Sequence, residues 1–96
     1  MATPSDFYYT YVLLSLKDLK FYIGSTGNLE KRLAAHEKGR VNATKNRLPI
    51  KLIFYEAHLD KFDALRREDY LKSTKGKRTL RNMLSEFLRK ENMPEV

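Results

Sequence analysis

From Phe7 to Ser15 the chain runs FYYTYVLLS, with aromatic and β-favouring side chains at both alternating sets of positions. A strand that is apolar on both faces must be covered on both, so this stretch is predicted to be the central strand of a sheet. Leu16–Leu19 make a polar-centred turn, and Lys20–Gly24 return as a second strand. A short, even-length connection makes the pair an antiparallel hairpin. Asn28 is a suitable N-cap for a helix from Leu29 to about Lys38, which Gly39 stops. Val41–Pro49 is a loop, Lys51–Ala57 a third strand, and Asp60 caps a second helix reaching about Lys72. Gly76 is expected to separate that helix from a last one ending near Lys90. In the last helix Leu80, Met83, Leu84, Phe87 and Leu88 follow i, i+3, i+4, i+7, i+8 and predict a core stripe. The order ββαβαα describes a mixed α/β domain of the α+β type. Its three-stranded antiparallel sheet has the first strand central and is flanked by three helices. Residues 1–6 read as a loose leader, 7–90 as the domain and 91–96 as a frayed tail.

Hairpin parity places chemistry on this frame. If Ser15 faces Lys20, then Leu13 faces Tyr22 and Tyr11 faces Gly24. Tyr11 and Tyr22 are then diagonal neighbours on one face, about 7–8 Å apart at the backbone. Tyrosine is favoured in strands for its own sake, so the pair is equally compatible with packing. On the first helix, Leu29 and Leu33 define the inward stripe, and Arg32 and His36 fall along it one turn apart. Either the two bind something at the sheet, or Arg32 snorkels to solvent. On the second helix, Glu68 projects from the middle of the stripe set by Ala64, Leu65 and Leu71. A carboxylate there needs water, a base or a metal: a salt bridge to Arg32 is one solution, and a single Mg²⁺ is another.

Other motifs carry less. The GSTG stretch at Gly24–Gly27 is too short for a phosphate-binding P-loop and lacks its lysine. His36 and His58 have no helical metal-ligand spacing, and Ser25 has no partners that would make it a nucleophile.

Composition narrows the partner. Apolar residues at 42% and charged residues at 32% of 96 residues describe one folded domain. No apolar run is long enough to span a membrane, and no charged-then-apolar segment with a cleavage site opens the chain, so the expected location is the cytoplasm. Zero cysteines exclude disulfides, thiolate metal sites and a cysteine nucleophile. The formal charge of +7 points to a polyanion, most simply nucleic acid. Lys38, Arg40, Lys45 and Arg47, in and beside the central loop, are candidate phosphate contacts.

Taken together, these residues resemble the GIY-YIG nuclease family over about Phe7 to Leu88. Tyr22-Ile23-Gly24 matches the YIG half, with ten residues between it and Tyr11. Tyr9-Thr10-Tyr11 stands where the family carries Gly-Ile-Tyr and keeps only the tyrosine. Arg32 matches the family arginine, His36 its His-or-Tyr position, and ALRREDYLK around Glu68 the segment of its metal-binding glutamate. Asn82 stands roughly where several members carry an asparagine, although helix phasing turns it from the core stripe. The resemblance implies hydrolysis of DNA phosphodiesters with one Mg²⁺ (or Mn²⁺), an activity that fits structure-selective cleavage in DNA repair or processing. It implies that Tyr11, assisted by His36, is the general base, which requires nearby cations to lower its ordinary pKa of about 10. Tyr22 would position water or phosphate, Arg32 stabilise developing charge and Glu68 hold the metal. Larger members add separate DNA-binding domains, for which 96 residues leave no room. Target choice would then rest on DNA shape, the basic loop or a protein partner. The alternative is a non-catalytic nucleic-acid-binding module on the same fold. A basic scaffold protein would account for the charge but not for an inward Glu68.

Overall fold

The computed structural model describes residues 3–91. The first two residues of the expected leader, and all of the expected tail beyond Glu91, lie outside the described residues. Within the leader, Pro4–Asp6 form one 3-10 turn, closed by the Thr3 amide donating to Asp6 Oδ2 at 2.8 Å. The strands are β1 (Tyr8–Ser15), β2 (Phe21–Thr26) and β3 (Ile50–His58), and the helices are α1 (Leu29–Glu37), α2 (Lys61–Lys72), α3 (Thr74–Met83) and α4 (Ser85–Lys90). The sheet is antiparallel in the order β2-β1-β3, so β1 is central as its two-sided apolar pattern requires. Thr10 to Ser15 are all buried.

The hairpin register is the expected one, with Leu13 opposite Tyr22 and Tyr11 opposite Gly24. On the other edge, Val12 pairs with Phe54 but Leu13 with Leu52, so β3 bulges at Ile53. That bulge lets the sequence neighbours Ile53 and Phe54 both pack on the cluster of Val12, Ile23, Leu71 and Leu80. Leu14 and Leu88 form a second cluster next to it. Each fully buried leucine contributes on the order of 1.5–3 kcal/mol. The opposite face of the sheet carries Tyr11 and Tyr22, and there α1 buries a histidine, His36, as its one fully buried residue.

Capping accounts for most helix boundaries. Asn28 accepts from the Lys31 amide and Asp60 from the Phe62 amide. Gly39, at φ +73°, turns the chain out of α1. Two expectations fail. The last helical segment divides, with α3 ending at Met83 and α4 beginning at Ser85, so the sheet is flanked by four helices rather than three. Leu84 sits at the break and packs on both apolar clusters, while Met83 is 47% exposed and leaves the stripe. Gly76 does not separate helices either. It is buried inside α3, whose N-cap is Ser73.

The reason for that glycine is contact between backbones. A Cβ at Gly76 would lie 1.8 Å from the Tyr70 carbonyl oxygen and 2.8 Å from Leu71 Cα. Backbone cannot swing aside as a side chain would, so α2 and α3 meet this closely only if residue 76 is glycine. Gly76→Ala is expected to destabilise the domain by about 3 kcal/mol or more, beyond the usual range for one added methyl. Urea unfolding would check it; a loss below about 1 kcal/mol would show that the helices separate freely.

Candidate active site

The Tyr11–Gly24 pairing builds the centre of the site. A Cβ on Gly24 would lie 2.6 Å from Tyr11 Oη and 2.7 Å from Cζ, so the tyrosine ring lies across the space that a side chain would fill. Its hydroxyl is 2.8 Å from His36 Nε2, and Arg32 Nε donates to it at 3.4 Å. Tyr22 completes an aromatic group, its ring centroid 6.3 Å from Tyr11 and 5.1 Å from His36, both tilted or edge-on. Four of the predicted residues thus meet on one face: Tyr11, Tyr22, Arg32 and His36.

The hydrogen bonds assign the protons. Tyr11 Oη accepts from Arg32, so its own proton points to His36 Nε2. His36 Nδ1 is 2.7 Å from Thr44 Oγ1, which is buried and can accept the remaining N–H. Burial and, secondarily, the Arg32 charge push His36 down to about 4, so the ring is neutral near pH 7. Burial likewise raises Tyr11 and outweighs the lowering by Arg32. The condition for a tyrosine base, that nearby cations lower it, is therefore not met: desolvation dominates, and Tyr11 is a protonated phenol. Arg32 is held above its ordinary value, chiefly by its hydrogen bond to Tyr11.

Glu68 lies across β2 from this cluster, because its partner Ser25 is on the Phe21–Ile23 face of the strand, opposite to Gly24 and Tyr22. Ser25 Oγ donates to its Oε1 at 2.7 Å, and Lys72 Nζ lies 2.6 Å from Oε2. Its base is thus Lys72, one helical turn away on α2, rather than Arg32. The Glu68 charge is felt at Tyr11, where it adds to the raising by burial.

The basic loop divides. Lys38, Arg40 and Lys45 are exposed, without an ion pair among the described residues. Arg47 is committed elsewhere: it pairs with Asp18 at 2.8 Å and donates to the Lys20 and Phe21 carbonyls. It is not a free phosphate contact. Asn82 is exposed on α3, and its side chain makes no hydrogen bond among the described residues. Sequence reasoning missed Thr44, which has no signal in a loop. It also missed Lys72, which its i, i+4 spacing from Glu68 could have revealed, and Ser25, which is a carboxylate partner rather than a nucleophile.

The three-stranded sheet, with its first strand central, thus carries a tyrosine-arginine-histidine cluster on one face, the arrangement that the resemblance to a small nuclease domain implies. Residues 7–82 match the family model described as the GIY-YIG catalytic domain, and the chain belongs to that family. It is similar to the UPF0213 protein of Clostridium perfringens, 38% identical over 85 residues that make up 88% of this chain and 90% of the relative. The UPF0213 protein of Bacillus licheniformis is 38% identical, covering 80% of this chain and 77% of its own. That of Lacticaseibacillus paracasei is 42% identical, covering 75% and 79%. No solved structure matches the chain.

Two outcomes follow from this geometry. Gly24→Ala drives a methyl into the Tyr11 hydroxyl and should lower stability by about 1–3 kcal/mol. Gly27→Ala, whose Cβ would meet only Tyr8 carbons at 3.7 Å or more, should stay within about 0.5 kcal/mol. Urea midpoints of the two variants would separate them, and equal effects would remove the cradle from Gly24. For His36, a folded-state value of about 4 lies below the ordinary 6.5. Its contribution to stability is therefore present above pH 6.5 and lost as the pH falls toward 4. Between pH 7 and pH 5 the wild type should lose about 2 kcal/mol more than His36→Phe. Parallel unfolding curves would show that His36 titrates normally.

Proposed function

We propose that the chain is a divalent-metal-dependent DNA endonuclease that hydrolyses a backbone phosphodiester and selects its targets by DNA structure. The observation that supports this is a hydrogen-bonded Tyr11–His36 pair beside a guanidinium on one face of β2, with a partly buried carboxylate held by Ser25 on the other face of the same edge strand. A binding module needs only the surface cations; it gives no reason to bury a proton-transfer pair beside Arg32.

The side chains fit one hard cation. Among the described residues no three His, Cys, Asp or Glu side chains gather into a metal cage. One carboxylate beside the Ser25 hydroxyl suits Mg²⁺ or Mn²⁺, which keep several waters and take one or two protein carboxylates. The position already stabilises positive charge, since Lys72 occupies Glu68 Oε2 and its side chain is 51% exposed and free to withdraw. One bound ion would supply positive charge to the phosphoryl oxygens. Arg32, partly buried and directed into the cluster, would stabilise the charge that develops on them. Tyr11 need not ionise beforehand. As the attacking water gives a proton to Tyr11 Oη, the tyrosine's own proton passes 2.8 Å to His36 Nε2. His36 can accept it because its ring is neutral, and Thr44 holds the tautomer that leaves Nε2 open. Tyr22 would position the water or a phosphate oxygen.

Glu68→Gln tests this reading. It removes the metal-holding charge but keeps size and the hydrogen bond from Ser25. The lost Lys72 pair is a half-exposed i, i+4 contact of about 0.3–0.5 kcal/mol, so the melting temperature should move by only a few degrees. Nicking of duplex and branched DNA with Mg²⁺ should fall at least about 100-fold, while DNA affinity stays the same or rises. Nicking, affinity and thermal unfolding are to be measured on one preparation. A variant that nicks as fast as wild type would remove Glu68 from metal binding. A wild-type protein that nicks none of a panel of duplex, branched and single-stranded DNA, with either metal, would favour the binding module.

A further inference from the structure

A second cationic site lies at the start of β2, outside the cluster described above. A cleft of about 400 Å³ is lined by Asp18, Lys20, Phe21, Arg47, Lys77 and Arg81. Four cations face one carboxylate, and that carboxylate is spoken for. Asp18 pairs with Arg47 through two oxygens, at 2.8 and 3.3 Å. The Arg47 guanidinium is further fixed by the Lys20 and Phe21 carbonyls, and the Arg47 carbonyl accepts from the buried Ser15 hydroxyl at 2.7 Å. Asp18 is thus neutralised in place, and Lys20, Lys77 and Arg81 remain without an acidic partner among the described residues.

Two of the walls are preorganised. The Arg81 guanidinium stands 4.8 Å over the Phe21 ring, a contact that orients its plane while leaving its N–H edge free. Lys77 and Arg81 are four residues apart on α3, so both project from one face of it. Rigid, uncompensated cations around a cleft of this size are suited to an anion larger than a simple ion.

We infer that this cleft holds a backbone phosphate of the DNA strand whose scissile phosphate lies at Tyr11 and Glu68. The inference rests on the proposed nuclease function and adds a position to it. Phe21 and Ser25 lie on the same face of β2, four residues apart, and Ser25 holds Glu68. At about 3.3 Å per residue they are about 13 Å apart. Neighbouring phosphates of one strand lie about twice the 3.4 Å axial rise apart, because the strand winds about the axis, so that is about two nucleotides. A strand following the β2 edge would therefore be gripped at the carboxylate and again in the cleft.

The test is a Lys20→Ala/Lys77→Ala double variant, compared with Lys90→Ala on α4. Lys20 and Lys77 are exposed and their side chains have no hydrogen-bond partner among the described residues, so their removal leaves the fold intact. Binding of a fluorescent 20-base-pair duplex is measured across a salt series, with Ca²⁺ in place of Mg²⁺. The double variant should bind about tenfold more weakly near 0.1 M salt, with a log–log slope reduced by about two. Lys90→Ala should keep the wild-type slope. Nicking of duplexes carrying a single neutral methylphosphonate should be slowed most when it lies about two nucleotides to one side of the cut. A double variant with wild-type slope and affinity, beside a wild type that binds and nicks, would overturn the cleft and leave the nuclease function standing. An equal loss in Lys90→Ala, or methylphosphonate slowing without this position dependence, would reduce the cleft to general charge and overturn it. A wild type without salt-sensitive DNA binding would overturn both.

Discussion

The antiparallel pairing of Tyr11 with Gly24 is the contact on which the site depends. Because β1 is buried on both faces, its tyrosine cannot find room within the sheet. It lies across β2 at the one residue that has no side chain to obstruct it. Its hydroxyl then arrives where α1, phased by Asn28, offers His36 and Arg32. A one-residue slip of the hairpin would turn Tyr11 to the leucine-rich face and bring Thr10, or Val12, under the histidine. The clusters on that other face hold the register, so apolar packing far from the polar groups keeps the polar groups in line.

Burial, more than charge, sets the protonation of this site. Tyr11 and His36 are both fully enclosed, and both are pushed toward their neutral forms, in opposite directions on the pH scale. The result is a phenol and a free imidazole sharing one proton, ready to pass it along rather than to hold charge. Around them the cations divide into those with a fixed task and those left to solvent. Arg47 braces a loop against Asp18, Arg67 pairs with Glu56 at 2.7 Å, and Lys72 neutralises Glu68. Lys38, Arg40, Lys45, Lys20 and Lys77 have no acidic partner among the described residues.

Much of this was legible in the residues themselves. Two-sided apolar patterning announced the central strand, and loop parity gave the register that places Tyr11 on Gly24. Helical spacing then put Arg32 and His36 together. What escaped were features made by contacts between one element and another. Gly76 looks like a helix breaker in sequence and is a backbone contact in three dimensions. Met83 fits the heptad-like stripe, but the helix bends at Leu84 and turns it out. Arg47 reads as one more loop cation until Asp18, 29 residues away, captures it. Periodicity describes one element at a time and carries no information about which carboxylate a long basic side chain will meet.

The backbone contact at Gly76 also has a mechanical meaning. Helices separated by a layer of side chains can slide or tilt by small repacking, whereas α2 and α3 touch main chain to main chain at their junction. They form one stiff bracket, with Glu68 on one arm and Lys77 and Arg81 on the other. Such a bracket would work as a ruler, because main-chain packing with no intervening side chains fixes the interval between its two marks. A duplex that presents its backbone at another interval, through a bulge, a nick or a branch, would touch one mark and miss the other. Discrimination among DNA shapes then needs no recognition of bases at all.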